Sequence, residues 1–350
     1  MFVVRPITKD DLEAVFSFAK ASNSGIINLP KNREILQKRI HHSIVSFEKH
    51  MDFPINEVYF FVLEDESKNE VVGVCGVYSK ISNEYYYHLE TTPQEFENPH
   101  TPKEITLLST IQRIKETSEI CALYLTPHHR KGGLGKLLSL SRFMFIASFR
   151  NRFEDTVIAE MRGHITSEQV PPFYLAVGKH FYHSNYVDLI KELEIDKSII
   201  PHIIPKHPVY TMLLPKEAQE CIGKVHANTK PALEMLLKEG FNYTHDVDLF
   251  DAGPKIQAKT DDIRLIRESS LACIIEIAPN HDHNHNHTHI DRYIICNAHL
   301  DFRACLGHVE ILSNQEVRID HSVAQALKVN KGDFIRFAHV SPTQPTAEGT

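Results

Sequence analysis

The stretch EICALYLTPHHRKGGLGKLLSLSRFMFIASFR, residues 119–150, decides the fold. Its apolar run Glu119–Leu125 predicts a strand, and its apolar run Lys136–Arg150 predicts a helix. Between them, residues 130–135 form a glycine-rich turn of the pattern R-x-x-G-x-G. Glycines let backbone N–H groups converge on an anion, and a helix N-terminus adds about half a positive charge. The stretch therefore predicts a phosphate-binding turn between a strand and a helix.

This turn differs from two familiar phosphate-binding motifs. The Gly-Lys-Ser/Thr ending of a P-loop is absent. Two predicted helices and two antiparallel-looking strands precede the turn, whereas a dinucleotide-binding fingerprint follows a single βα unit. The alternative interpretation is a Gly-rich turn that binds no ligand. The strand before the turn and the helix after it favour an anion-binding site over this alternative.

The segments around this stretch predict an α/β protein with a mixed sheet flanked by helices. The region Tyr85–Lys115 is polar, and it predicts a loop-rich excursion with some sheet. The other predicted elements of the first half are the strand Phe2–Arg5, helices in the ranges 12–19 and Asn32–Phe47, and the strands Val58–Leu63, Val71–Tyr78 and Val157–Glu160.

Composition changes divide the chain into four predicted segments. Residues 1–190 form the α/β core, and residues 191–275 form an elaborated second half that completes the site. Residues 276–291 are a linker that contains histidine at every second position. Residues 292–350 form a small C-terminal β unit with a disordered tail.

The overall composition predicts a soluble cytoplasmic protein. The formal net charge of the 350 residues is −7, which disfavours nucleic acid and anionic membranes as partners. No signal peptide and no apolar run long enough to span a membrane are predicted. The six cysteines are scattered without a CxxC pair, which is typical of reduced thiols.

The order of strand, R-x-x-G-x-G turn and helix resembles the GNAT superfamily of N-acyltransferases. Several phrases, in order along about the first 270 residues, more narrowly resemble the arginine N-succinyltransferase family. They are Val4-Arg5-Pro6, Phe61-Val62-Leu63-Glu64-Asp65, Ser141-Arg142-Phe143-Met144-Phe145, Ala159-Glu160-Met161-Arg162-Gly163, Pro205-Lys206-His207-Pro208-Val209-Tyr210, Glu217-Ala218-Gln219, Ile222-Gly223-Lys224-Val225-His226, Lys238-Glu239-Gly240-Phe241 and the DGGP-like Asp251–Pro254.

The resemblance implies transfer of succinyl from succinyl-CoA to the α-amino group of L-arginine, in arginine catabolism. It implies no required metal and an oligomer, with a related subunit as one possible partner. The family's GGGLTSLP-like loop reads Ser24–Pro30 here, so ornithine or another basic amino acid is the alternative substrate. An alternative of a different class is a non-catalytic protein that binds metal or another ligand through the tract His281–His289.

The resemblance also assigns roles to individual residues. His226, in the phrase G-x-V-H, matches the family's acid/base histidine, and a histidine titrates near neutral pH. Arginine forks pair with carboxylates and glutamate pairs with guanidinium, so Glu160, Arg162 and Arg142 are expected to bind substrate, with a structural ion pair as the alternative. The residues expected to bind the coenzyme are Leu123, Leu125, Arg130, Lys131, Gly133 and Gly135.

Overall fold

The computed structural model describes residues 1–22, 29–93, 104–279 and 292–341. Within these ranges the strands are β1 Phe2–Pro6, β2 Val58–Asp65, β3 Glu70–Ile81, β4 Glu84–Pro93, β5 Glu104–Arg113, β6 Thr117–Leu125, β7 Thr156–Glu160, β8 Val209–Tyr210, β9 Asn242–Val247, β10 Pro254–Lys259, β11 Ser270–Ala278, β12 Tyr293–Asn297, β13 Ala304–Gly307, β14 Val309–Ser313, β15 Glu316–Asp320 and β16 Phe334–His339. The helices in the same ranges are α1 Leu12–Ala21, α2 Arg33–Glu48, α3 Leu134–Ser148, α4 Pro172–Ala176, α5 Tyr186–Ile195, α6 Lys216–Cys221, α7 Lys230–Lys238, α8 Arg264–Glu268 and α9 His321–Leu327.

The described strands join in one mixed sheet, ordered β14-β15-β11-β16-β12-β13-β1-β2-β3-β6-β7-β10-β9-β4-β5-β8. Strands β6 and β7 are parallel, as are β11 and β15, and the other pairings are antiparallel. Helices flank this sheet, so the predicted mixed α/β fold is confirmed.

Helix α3 forms the centre of the core. Its apolar residues recur on more than one face, and Leu138, Phe143 and Phe145 are all fully buried. A helix that is apolar all round must be covered on all sides. Strand β3 and the C-terminal strand β12 both contact it, and this packing fixes the N-terminal end of α3 relative to strand β6.

The C-terminal β unit continues the main sheet. Strand β13 pairs with strand β1 through Val4 and Ala304. Strand β11 crosses the predicted boundary at residue 275 and pairs with β15 and β16 of this unit. The division of the chain into four segments stays a prediction.

One region has more regular structure than we predicted. The segment Tyr85–Lys115 was expected to be rich in loops, but β4 and β5 pair in register from Glu84 with Arg113 to Pro93 with Glu104. These strands carry polar residues because one face of an antiparallel pair can be exposed to solvent. The expected sheet is present and is more extensive than its polar composition predicts, because polar residues with adequate β propensity can form strands.

No helix in the described part of the chain is both long enough and apolar enough to cross a bilayer. The histidine tract His281–His289 and residues 24–28 of the predicted substrate loop lie outside the described residues.

Candidate active site

A cavity of ≈ 960 Å³ opens where strands β6 and β7 diverge. The two parallel strands pair at Ser118 with Val157 and at Glu119 with Ile158, and each then continues apart from the other. The cavity extends from the glycine-rich turn to the segment that carries the predicted catalytic histidine. It brings together every residue to which the sequence assigned a role: Leu123, Leu125, Arg130, Lys131, Gly133, Gly135, Arg142, Glu160, Arg162 and His226.

Strand β6 has a bulge on the wall of this cavity. Two of its residues, Ala122 and Leu123, lie opposite the single residue Cys75 of strand β3. Ala122 has a positive φ of 53°, which is unusual for a residue with a side chain. A bulge interrupts the ladder and redirects backbone groups. The bulge therefore shifts the backbone beside Leu123 out of regular register with β3 at the wall of the cavity.

The glycine-rich turn has the conformation that its sequence predicts. Gly132 and Gly133 have φ values of 64° and 82°, a region that favours glycine. Helix α3 then begins at Leu134, so its N-terminus faces this end of the cavity. Arg130 donates through Nε to the carbonyl of Leu125 at 3.0 Å, which ties the turn to the end of β6. The arrangement suits an anion.

Arg142 is buried in the protein. Its guanidinium donates to the carbonyl of Ser139 at 2.9 Å, to the hydroxyl of Ser139 at 2.7 Å and to the carbonyl of Cys121 at 3.4 Å. These contacts connect helix α3 to the strand just before the bulge. Arg142 thus supports the wall of the cavity from inside.

Glu160 stands at the end of strand β7 and is exposed to the cavity. It accepts a hydrogen bond of 2.6 Å from the Tyr86 hydroxyl. The Lys255 ammonium lies 3.9 Å from the centre of the Tyr86 ring. The carboxylate is therefore held in place from one side, while its exposure leaves room for a cationic ligand.

The hydrogen bonding of His226 indicates which tautomer its neutral ring adopts. Its Nδ1 accepts a hydrogen bond of 3.1 Å from the backbone N–H of Asn228. A backbone amide is always a donor, so Nδ1 carries no proton and the neutral ring is protonated at Nε2. Burial, with the nearby charge of Arg162 and with His164, lowers the pKa of His226. The lowered pKa favours the neutral ring, which has its N–H donor at Nε2.

One peptide group anchors both His226 and a carboxylate that sequence analysis missed. The carbonyl of Arg162 accepts the backbone N–H of His226 at 2.9 Å. The N–H of the same peptide group, on Gly163, donates to Asp251 Oδ2 at 2.8 Å. Asp251 Oδ1 accepts from Gly253 at 2.7 Å. This network fixes His226 to the segment that follows strand β7.

Asp251 and Asp248 both line the cavity. Burial raises the pKa of each carboxyl, and the neighbouring charge of Asp251 raises the pKa of Asp248 further. The only sequence signal for this pair was the DGGP-like phrase at Asp251–Pro254, which had suggested a turn. Perturbed carboxyls in a cleft are typical of functional sites.

Glycine is required where the segments that carry Met161 and Asp251 meet. A Cβ on Gly163 would overlap the carbonyl oxygen of Asp251. We therefore expect Gly163→Ala to lower the free energy of unfolding by about 1–3 kcal/mol, as overpacking does, and to lower activity as well. Urea unfolding followed by circular dichroism measures the first effect. Gly135→Ala is the stability control, since its Cβ would meet only Leu125 Cδ2 at 3.9 Å. If both variants lost the same free energy of unfolding, the overlap with Asp251 would not be the cause.

Cys121 also lines the cavity, but burial raises the pKa of its thiol well above the usual range. A thiol that keeps its proton at neutral pH is a poor nucleophile. We therefore interpret Cys121 as a core thiol.

The similarity of the chain to known proteins defines its class, an acyltransferase. A family model described as "Arginine N-succinyltransferase beta subunit" matches residues 2–265, and the model of the C-terminal domain of that subunit matches residues 283–339. The chain belongs to the arginine N-succinyltransferase family.

Full-length relatives agree with this assignment. The arginine N-succinyltransferases of Shigella sonnei (strain Ss046) and Escherichia coli O139:H28 are each 33% identical over 99% of this chain and 100% of their own length. The solved structure of arginine/ornithine succinyltransferase subunit AI from Pseudomonas aeruginosa matches with a TM-score of 0.85 and 29% identity, covering 98% of this chain and 99% of that one.

Proposed function

We propose that this protein transfers the succinyl group of succinyl-CoA to the α-amino group of L-arginine. The observation that carries the proposal is the match of the whole chain to arginine N-succinyltransferases, with all the predicted site residues around one cavity. In the reaction the amine nitrogen forms a bond to the thioester carbon and the carbon–sulfur bond breaks. The amine loses one proton and the coenzyme A thiolate gains one.

The coenzyme occupies the end of the cavity near the glycine-rich turn. The turn residues Gly133 and Gly135, with Arg130 and Lys131, bind the diphosphate, because backbone N–H groups and a helix N-terminus both favour anions there. The pantetheine arm runs along the bulged part of strand β6, where the backbone of Leu123 and Leu125 offers hydrogen-bonding groups.

The amino acid occupies the other end, between strand β7 and the segment of His226. Arg162 pairs with a substrate carboxylate by its two-pronged fork, and Glu160 pairs with the guanidinium of arginine. Arg142 was expected to bind substrate as well. Because its guanidinium donates to Ser139 and Cys121, we assign it the role of holding the bulge in place.

His226 stabilises the transition state as a hydrogen-bond donor. With Nδ1 engaged by Asn228, the ring offers Nε2–H to the charge that develops on the thioester oxygen or the leaving sulfur. The lowered pKa keeps the ring neutral, so this tautomer persists at working pH. The amine attacks the thioester directly, without a covalent acyl-enzyme.

The alternative substrate is ornithine, since the relative from Pseudomonas aeruginosa is described as an arginine/ornithine succinyltransferase. Thiol release from succinyl-CoA, measured with arginine, ornithine and lysine, tests both. We expect arginine to give the highest kcat/KM, because only its guanidinium pairs in a planar fork with Glu160. A higher kcat/KM with ornithine would identify ornithine as the substrate. If none of the three amines released thiol from succinyl-CoA, the proposal would be overturned.

The composition predicts a cytoplasmic location, and the family resemblance implies an oligomer, with a related subunit as one possible partner. The relative from Pseudomonas aeruginosa is named as subunit AI, and this name supports an oligomer that contains a related subunit. Size-exclusion chromatography with light scattering would test it, and a monomer at assay concentration with full activity would refute it.

A further inference from the structure

The C-terminal β unit reaches the glycine-rich turn of the acyltransferase core. Arg292, which directly precedes strand β12, donates through Nη1 to the carbonyl of Gly132 at 3.1 Å. The same nitrogen would lie 3.6 Å from a Cβ placed on Gly133. The two contacts place the guanidinium against the backbone of the turn.

The backbone around Arg292 is held by the end of the sheet. The N–H of Val340 donates to the carbonyl of Arg292 at 3.0 Å, and Val340 itself lines the cavity. Just beyond it, Ser341 Oγ lies 3.3 Å from the ammonium of Lys136 in helix α3. Residues from both ends of the C-terminal unit therefore border the mouth of the cavity at the turn.

This mouth concentrates positive charge in a protein whose net charge is −7. Four exposed cations surround the N-terminus of helix α3: Arg130, Lys131, Lys136 and Arg292. A guanidinium has five N–H donors, and the bond to Gly132 uses one of them. Arginine is the side chain best suited to bind phosphate through several donors at once.

We propose that Arg292 binds a phosphate group of the acyl-CoA, so that the C-terminal β unit forms part of the coenzyme site. The inference rests on the proposed function, since it requires an acyl-CoA in this cavity. Coenzyme A carries a diphosphate and a 3′-phosphate, and both offer the same anionic oxygens to a guanidinium. Arg292 is a binding residue in this proposal and takes no part in the chemical step.

The test compares Arg292→Ala and Arg292→Lys with Arg318→Ala. Arg318 belongs to the same unit, but it lies in strand β15, near the far edge of the sheet, and pairs with Glu276 and Glu310. We expect Arg292→Ala to raise KM for succinyl-CoA and Kd for coenzyme A about tenfold, equivalent to about 1.4 kcal/mol. The lysine variant should lie in between, and kcat and KM for arginine should stay unchanged. Unchanged coenzyme affinity in Arg292→Ala relative to Arg318→Ala would overturn the inference.

Two further measurements separate the possible outcomes. With succinyl-dephospho-CoA, which lacks the 3′-phosphate, the effect of Arg292→Ala persists if the diphosphate is the ligand and disappears if the 3′-phosphate is. Calorimetric titration with coenzyme A needs no turnover. If the wild type binds coenzyme A without releasing thiol from succinyl-CoA, the proposed function fails, while the Kd values still decide the role of Arg292.

Discussion

Replacing His226 by alanine is expected to lower kcat by about 10²- to 10³-fold, the usual effect of removing one donor to a developing oxyanion. The KM values for succinyl-CoA and arginine should change little, because the donor acts on charge that forms only in the transition state. Steady-state measurement of thiol release gives both parameters. Thermal unfolding should be followed as well, since the ring also accepts the N–H of Asn228.

His226→Gln distinguishes a hydrogen-bond donor from an acid/base catalyst. The glutamine amide offers an N–H but cannot exchange a proton at neutral pH. We expect this variant to keep substantially more activity than His226→Ala, because Nε2 of the neutral histidine serves as a donor only. Equal inactivity of the two variants would instead favour proton transfer by His226, as sequence analysis had first suggested.

Glu239→Gln is expected to lower the free energy of unfolding by about 3 kcal/mol, because it removes one partner of a buried ion pair. Glu239 accepts from Arg264 Nη2 at 2.6 Å and Nε at 3.2 Å, and from the N–H of Leu265 at 3.0 Å. Both side chains are almost fully buried. In this variant Arg264 Nη1 would still pair with Glu268 Oε2 at 3.1 Å. The expected loss of unfolding free energy is therefore at the lower end of the usual range.

The matched control is Glu13→Gln, which changes the same chemical group in an exposed pair with Arg33. Exposed pairs contribute about 0–1 kcal/mol, so urea unfolding should hardly change. If both variants lost a similar free energy of unfolding, burial would not explain the effect of Glu239→Gln. Arg264 also donates to the carbonyl of His339 at 3.2 Å, so Glu239→Gln should weaken the attachment of the C-terminal unit as well.

The sequence predicted the elements whose signals are local. The strand, turn and helix of residues 119–150 were recognisable because apolar periodicity and glycine spacing act over a few residues. The strand and the glycine-rich turn, together with the family phrases, supplied the candidate residues, and the structure brings these residues to one cavity. The buried position of Arg142 was not predictable, since a lone arginine in a helix gives no sign of which side it faces.

Local sequence patterns could not predict the contacts between segments that are distant along the chain. The pairing of β4 with β5 depends on which polar strands meet, and the carboxyls Asp248 and Asp251 acquire their raised pKa only when folding buries them. Arg292 lies 160 residues after the turn that it touches. Nothing in its local sequence relates it to that turn.

The central position of strand β1 has a consequence for how the chain is made. One edge of β1 pairs with β2 as soon as residue 65 is available, but the other edge waits for Ala304 of β13. Until then a growing chain exposes an open strand edge, which is the feature that promotes association between unfinished chains. We therefore expect removal of the C-terminal strands to promote association between chains, even where the truncation spares the cavity.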